Sequence, residues 1–154
     1  MDNAALQEAR QIIETAQKIL VISHIRPDGD AVGSVLGLGL ALQAAGKEVQ
    51  MILEDGVPKS FRHLTGSDQI QKRANDVYEC SIVVDCSDLT RTGKIFYDAP
   101  PPDINIDHHN TNLNFGQVNL VDSRSAATTE ILAQLLPKWN LPMDVPIASA
   151  LLSG

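Results

Sequence analysis

The sequence predicts an α/β domain: a mainly parallel, doubly wound, Rossmann-like sheet with helices on both faces. Three observations lead there. Short, nearly continuous runs of Val, Ile and Leu recur along the chain, as strands buried on both faces require. Segments with helical spacing separate several of these runs. Aromatic residues make up only 4% of a chain that is 44% hydrophobic, so the core must be built from aliphatic side chains and alanine. At 154 residues the chain fits one globular domain.

Leu6, Ala9, Ile12, Ile13 and Ala16 recur at helical spacing, predicting an amphipathic helix over residues 4–17. The run Ile19 to Ile22 reads as a buried strand ending at Ser23 and His24. A loop through Pro27 and Gly29 follows, and Asp30 is the expected N-cap of a helix reaching Ala45 and closed by Gly46. That helix is apolar nearly all round, and Gly33, Gly37 and Ala41 form a small-residue stripe suited to lying close on a sheet. Gly37 and Gly39 fall inside the helix, where a dinucleotide fingerprint would need them in the preceding turn.

Val49 to Leu53 is a second strand, and residues 54–68 read as a polar connection. Ser81 to Asp85 is the third and clearest strand. After the break at Pro100, Pro101 and Pro102, Ile104 to Asp107 gives another strand, and residues 125–136 read as a helix. Pro146 to Leu152 begins a further apolar helix or strand.

A formal net charge of −7 is the reverse of the basic footprint of a protein that tracks long duplex nucleic acid. A phosphorylated substrate would need another source of positive charge, and bound cations supply it best. Cys80 and Cys86 lie about 20 Å apart along one predicted strand, beyond disulfide reach, which fits reduced thiols in the cytoplasm. The first residues lack a signal peptide's apolar centre, and no run approaches the roughly 18 apolar residues of a membrane span. The expectation is a soluble, cytoplasmic protein without a membrane partner.

Three predicted strands end in metal-ligand residue types: His24 after the first, Asp85 at the end of the third, and Asp107, His108 and His109 after the fourth. Taken singly, each has a structural explanation. Pro27 to Asp30 can be an ordinary turn and cap, Asp85 can cap a helix, and a histidine pair can be solvated or buried in a core. Taken together, they sit where a parallel sheet places its site, at the carboxyl ends of its strands. His24, Asp28 and Asp30 have a spacing long enough for one loop to curl three ligands around a cation, with Pro27 stiffening it and Gly29 giving it room.

The segment His24 to Ser34, the strand-end Asp85 and the triplet Asp107-His108-His109 resemble, in order and spacing, the first three motifs of DHH phosphoesterases. The resemblance covers essentially the whole chain. In finer detail, Asn110-Thr111-Asn112, Phe115-Gly116, Asn119, Asp122 and residues 126–130 look most like the bacterial branch that degrades nanoRNA and dephosphorylates phosphoadenosine phosphate.

The resemblance implies that His24 and Asp28 bind one divalent ion, Asp30 and His108 a second, and Asp85 bridges them. His109 would face the substrate phosphate, and Asp107 would orient a metal-ligand histidine from behind. Manganese is the expected metal, with magnesium, cobalt or zinc as alternatives, and three carboxylates against two divalent ions leave a formal +1 for an anionic phosphate. Two-metal hydrolysis by activated water, with no protein nucleophile, is the implied chemistry. The implied substrates are short oligoribonucleotides or phosphorylated nucleotides, and the resemblance also admits a homodimer. The family's fourth motif would supply a further aspartate just beyond Gly154, and its smaller C-terminal substrate-binding domain (DHHA1-type) is absent from residues 1–154. The expectation is therefore a truncated chain of little activity. The alternatives are a family II-type inorganic pyrophosphatase and a non-catalytic nucleotide-binding regulatory module.

Overall fold

The computed structural model describes all of residues 1–154. Five parallel strands form one sheet: β1 (Lys18–Ile22), β2 (Glu48–Ile52), β3 (Cys80–Val84), β4 (Ile104–Asp107) and β5 (Val118–Val121), in the spatial order β2-β1-β3-β4-β5. The helices are α1 (Asn3–Thr15), α2 (Gly29–Ala44), α3 (Thr128–Lys138) and α4 (Val145–Leu152). The chain runs from β1 outward to β2 and then crosses to β3 on the other side, so the direction of winding reverses between β1 and β3. Open parallel sheets bind ligands at such a switch point, beyond the carboxyl ends of the strands. His24 follows β1, and Asp85 follows β3.

Helical segments lie on both faces, but very unequally. Alternate strand residues such as Ile19, Val21, Ile82, Val84, Ile104 and Ile106 join residues of all four α-helices in one large core. The opposite residues, Leu20, Ile22, Ile52 and Val83, pack with Cys86 and Phe96 in a smaller cluster. Leu89, from the short 3-10 turn Leu89–Thr92, packs against that second cluster, and no α-helix supplies residues to its buried core.

The burial of α2 differs from the expected burial against strands alone. Eleven of its 16 residues are buried because it lies between the sheet and α4. The small residues serve both neighbours. A side chain at Gly33 would collide with the Ala150 carbonyl and one at Gly37 with Leu151, whereas one at Gly39 would meet Met51 of β2.

Two other expectations need correction. The N-cap of α2 is Asp28, whose Oδ1 accepts from the Ala31 amide at 3.0 Å, and Asp30 sits in the helix's first turn. Asp28 takes the cap because its backbone is extended (φ −100°, ψ −170°), the conformation an N-cap requires. The chain also contains β5, which sequence periodicity missed: its four residues bury Val118 and Leu120 around the polar Asn119.

Candidate metal centre

The tips of β1, β3 and β4 contribute to a single cluster. His24, at the end of β1, is 6% exposed, and its Nδ1–H donates to the Ile25 carbonyl at 2.6 Å. That bond assigns the ring proton to Nδ1 and leaves the Nε2 lone pair free. Nε2 lies 3.5 Å from Asp85 Oδ2 and 3.8 Å from Asp28 Oδ1. Asp85 itself has a left-handed backbone (φ +54°), a conformation aspartate tolerates better than most residues, and its amide donates to the Ile106 carbonyl.

The other oxygen of Asp85 faces a different set. Oδ1 accepts from the Thr128 hydroxyl at 3.0 Å and lies 3.7 Å from His108 Nε2 and 3.9 Å from His109 Nδ1. His108 Nε2 is also 3.5 Å from Asp30 Oδ2. Both carboxylate oxygens of Asp30 are fixed from α3: Oδ2 accepts from the Thr128 amide and Oδ1 from the Thr129 amide, each at 2.9 Å. Residue 127, which precedes α3, is alanine and caps nothing, so Asp30 provides from α2 the cap that α3 lacks.

His109 borders the cluster and is anchored by a residue behind it. Its Nδ1 is 2.7 Å from Asp107 Oδ1, and Asp107 is fully buried. The other oxygen of Asp107 accepts from Asn112 Nδ2 at 2.7 Å, and Asn112 Oδ1 in turn accepts from buried Asn105. Asn105 and Asn119 face each other in register on β4 and β5 and are hydrogen bonded. This polar chain crosses the sheet's thinly covered face and holds the His109 ring with Nδ1 engaged, leaving Nε2 for any other partner.

The charge of the cluster is unbalanced. Asp85 is 1% exposed, and no Lys or Arg is ion paired with Asp28, Asp30, Asp85 or Asp107. Burial pushes the Asp85 carboxyl up to about 6, opposed by His24 when its ring is protonated, and nearby Asp30 and Asp28 raise it further. For His24, burial disfavours the cation, but the hydrogen bonds to Asp85 and Ile25 and the negative charge of Asp85 and Asp28 outweigh it, raising its pKa. A buried carboxylate beside other carboxylates and imidazoles is costly unless a cation joins it. The ligand atoms of His24, Asp28 and Asp85 lie within 4.8 Å of one another, as do those of Asp85, His108 and His109. The donor set therefore fits divalent cations on both sides of Asp85.

Residues 18–154 match the model of the DHH family, N-terminal domain. The chain belongs to this family. It is similar to the bifunctional oligoribonuclease and PAP phosphatase NrnA of Thermus thermophilus, 31% identical over 136 residues that cover 88% of this chain and 41% of that protein. Among solved structures, an exopolyphosphatase-related protein from Bacteroides fragilis superposes with a TM-score of 0.91 at 26% identity, covering 99% of this chain and 49% of that one. RecJ of Thermus thermophilus, solved in complex with Mn2+, shares the fold at a TM-score of 0.54 and 19% identity, over 96% of this chain and 23% of that one. This DHH chain spans about half or less of the length of the curated relatives it matches.

All seven residues singled out from the sequence lie in or beside this cluster. Residue-by-residue reasoning missed the supports: Thr128 and Thr129 on Asp85 and Asp30, and Asn112 on Asp107. The family resemblance had drawn Asn112 and residues 126–130 into view without giving them a role, and the local signal was the polar pair Thr128-Thr129 after two alanines, at the start of a predicted helix.

Proposed function

We propose that this domain is the catalytic part of a metal-dependent phosphoesterase, acting on short oligoribonucleotides or phosphoadenosine phosphate with two divalent ions, manganese foremost. Asp85 carries the reading: its Oδ2 faces His24 while its Oδ1 faces His108, the arrangement a carboxylate needs to bridge two cations. His24 and Asp28 hold one ion, and Asp30 and His108 hold the other. A pair of ions there would supply positive charge to polarise a phosphoryl oxygen and make water acidic enough to attack phosphorus.

The chain's own residues orient this chemistry. Ile25 fixes His24 with Nε2 inward, and the α3 amides fix Asp30. Asp107 holds His109 so that Nε2 can meet a phosphoryl oxygen and stabilise its growing charge. The similarity to NrnA supports the choice of substrate class. The proposal includes a further ligand supplied after residue 154. Its support is the packing of the last residues against the centre, where Ser153 lies on Gly29 and Gly154 on Thr129.

The test measures turnover of short RNA, phosphoadenosine phosphate and pyrophosphate side by side, with manganese, for this chain and for a version extended through the following domain. The extended protein should hydrolyse the first two and lose that activity in Asp85→Asn, with residues 1–154 alone nearly inactive. Preferential hydrolysis of pyrophosphate would overturn the substrate assignment. Absence of any manganese-dependent turnover would overturn the class.

A further inference from the structure

On the face of the sheet that only turns cover, Ile22 and Ile52 form the floor of a cavity of about 500 Å3, completed by Ala74 and Ile95. No residue of the metal centre lines it, yet Ile22 precedes His24 by two residues, roughly 7 Å along the strand. The volume lies within the usual range of ligand pockets, roughly 300 to 1,000 Å3.

The rim carries Lys72, Arg73 and Lys94. In a chain of net charge −7, three cations around one cavity are a local reversal of sign. None of the three is ion paired. The one lining carboxylate, Glu54, is already engaged: its Oε2 accepts from the Lys94 amide at 2.7 Å. Gly93, with φ +96°, packs directly against that carboxylate, where any side chain would collide. Glu54 is thus held by backbone, and the three cations line the cavity without an ion-pair partner.

An apolar floor gives a bare inorganic anion little to bind, and a cationic rim repels nothing but cations while adding little for a purely apolar ligand. A nucleotide matches both, with a flat, weakly polar base and a phosphate. We propose that this cavity is a nucleotide subsite, with the base on Ile22, Ile52 and Ile95 and a phosphate against Lys72, Arg73 and Lys94. It holds the nucleotide next to the one whose phosphoester sits at Asp85. This rests on the proposed function for the role of the site, but binding at the cavity needs no metal.

The probe is adenosine 5′-monophosphate, titrated onto the metal-free chain and followed by amide chemical shifts. Perturbations should centre on Ile22, Ile52, Lys94 and Ile95. Affinity should fall about 10-fold or more in Lys72→Glu/Lys94→Glu, stay within about 2-fold in Asp85→Asn, and weaken with salt. Inorganic phosphate should bind about 10-fold more weakly than the nucleotide. Binding absent at millimolar nucleotide, shifts confined to His24, Asp85 and His109, or phosphate binding as well as the nucleotide would each overturn the subsite. The manganese-induced rise in Tm, measured on the same proteins, tests the metal centre separately. The double lysine variant should keep it, and its absence in the wild-type chain beside intact nucleotide binding would sink the metal centre and leave the cavity standing.

Discussion

The two sides of Asp85 are built in different ways. On the Oδ2 side, His24 and Asp28 come from one five-residue stretch, and the Ile25 carbonyl that sets the His24 ring belongs to the same stretch. On the Oδ1 side, Asp30 comes from α2, His108 from the loop after β4, and the fixing amides and hydroxyl of Thr128 and Thr129 from α3. The first half-site follows from a single loop. The second exists only when three elements pack correctly, so perturbations of packing should weaken it first.

The largest effect should come from Asp85→Asn, which removes the shared anion from both halves. In the extended protein its loss of activity should exceed the roughly 10- to 100-fold typical of residues that support a ligand from outside, and should exceed that of His109→Ala. Without metal the same change is expected to leave Tm at pH 7.5 unchanged or higher. Ionising Asp85 without a cation beside it, with its carboxyl raised to about 6, costs on the order of 3 kcal/mol. Equal, mild losses of activity from the two substitutions would show that Asp85 does not bridge.

That cost has a pH signature. With its folded pKa raised, Asp85 retains a proton that the unfolded chain has released, so metal-free stability declines as pH rises from about 4 to about 6. His24 is also raised and acts in the same direction: its stabilisation is complete below its ordinary 6.5 and is lost as pH rises through its folded value. Manganese must displace these protons, so the manganese-induced rise in Tm should grow between pH 5 and 7.5 and should grow less in Asp85→Asn, where only the His24 proton remains. An equal rise at both pH values would contradict the assignment of Asp85 as a ligand.

Smaller effects should separate the halves. Thr128→Val removes the hydroxyl on Oδ1 and should weaken the second ion by about 10-fold while leaving the first within about 2-fold, read by calorimetric titration with manganese. An equal weakening of both ions would mean that the halves are not independent. Asn112→Ala, which frees one oxygen of buried Asp107, should reduce turnover by about 10-fold or less without changing manganese affinity. If manganese affinity falls instead, the asparagine chain serves the metals and not His109.

The same contrast explains what the sequence disclosed. The α/β class, four of the five strands and the seven candidate residues that the fold brings together were legible, because buried parallel strands announce themselves as apolar runs and most of the candidates stand at or just beyond their ends. The roles of Asp28 and Asp30 were not. Asp28 caps its own helix, and Asp30 caps α3, which begins 98 residues later, a partnership no local pattern encodes. β5 escaped because Asn119 interrupts a four-residue strand, and that asparagine is polar in order to meet Asn105 across the register. The small-residue stripe of α2 was visible, but its partner at Gly33 and Gly37 is α4, whose packing is tertiary information.

The central claim is that one carboxylate is shared by two ions. Diffraction from crystals of the protein soaked in manganese, collected at the manganese absorption edge, tests it directly. Two anomalous peaks roughly 3.5 to 4 Å apart are expected, one beside His24 and Asp28, the other beside Asp30 and His108, with Asp85 touching both. A single peak, or two peaks of which only one contacts Asp85, would contradict the account.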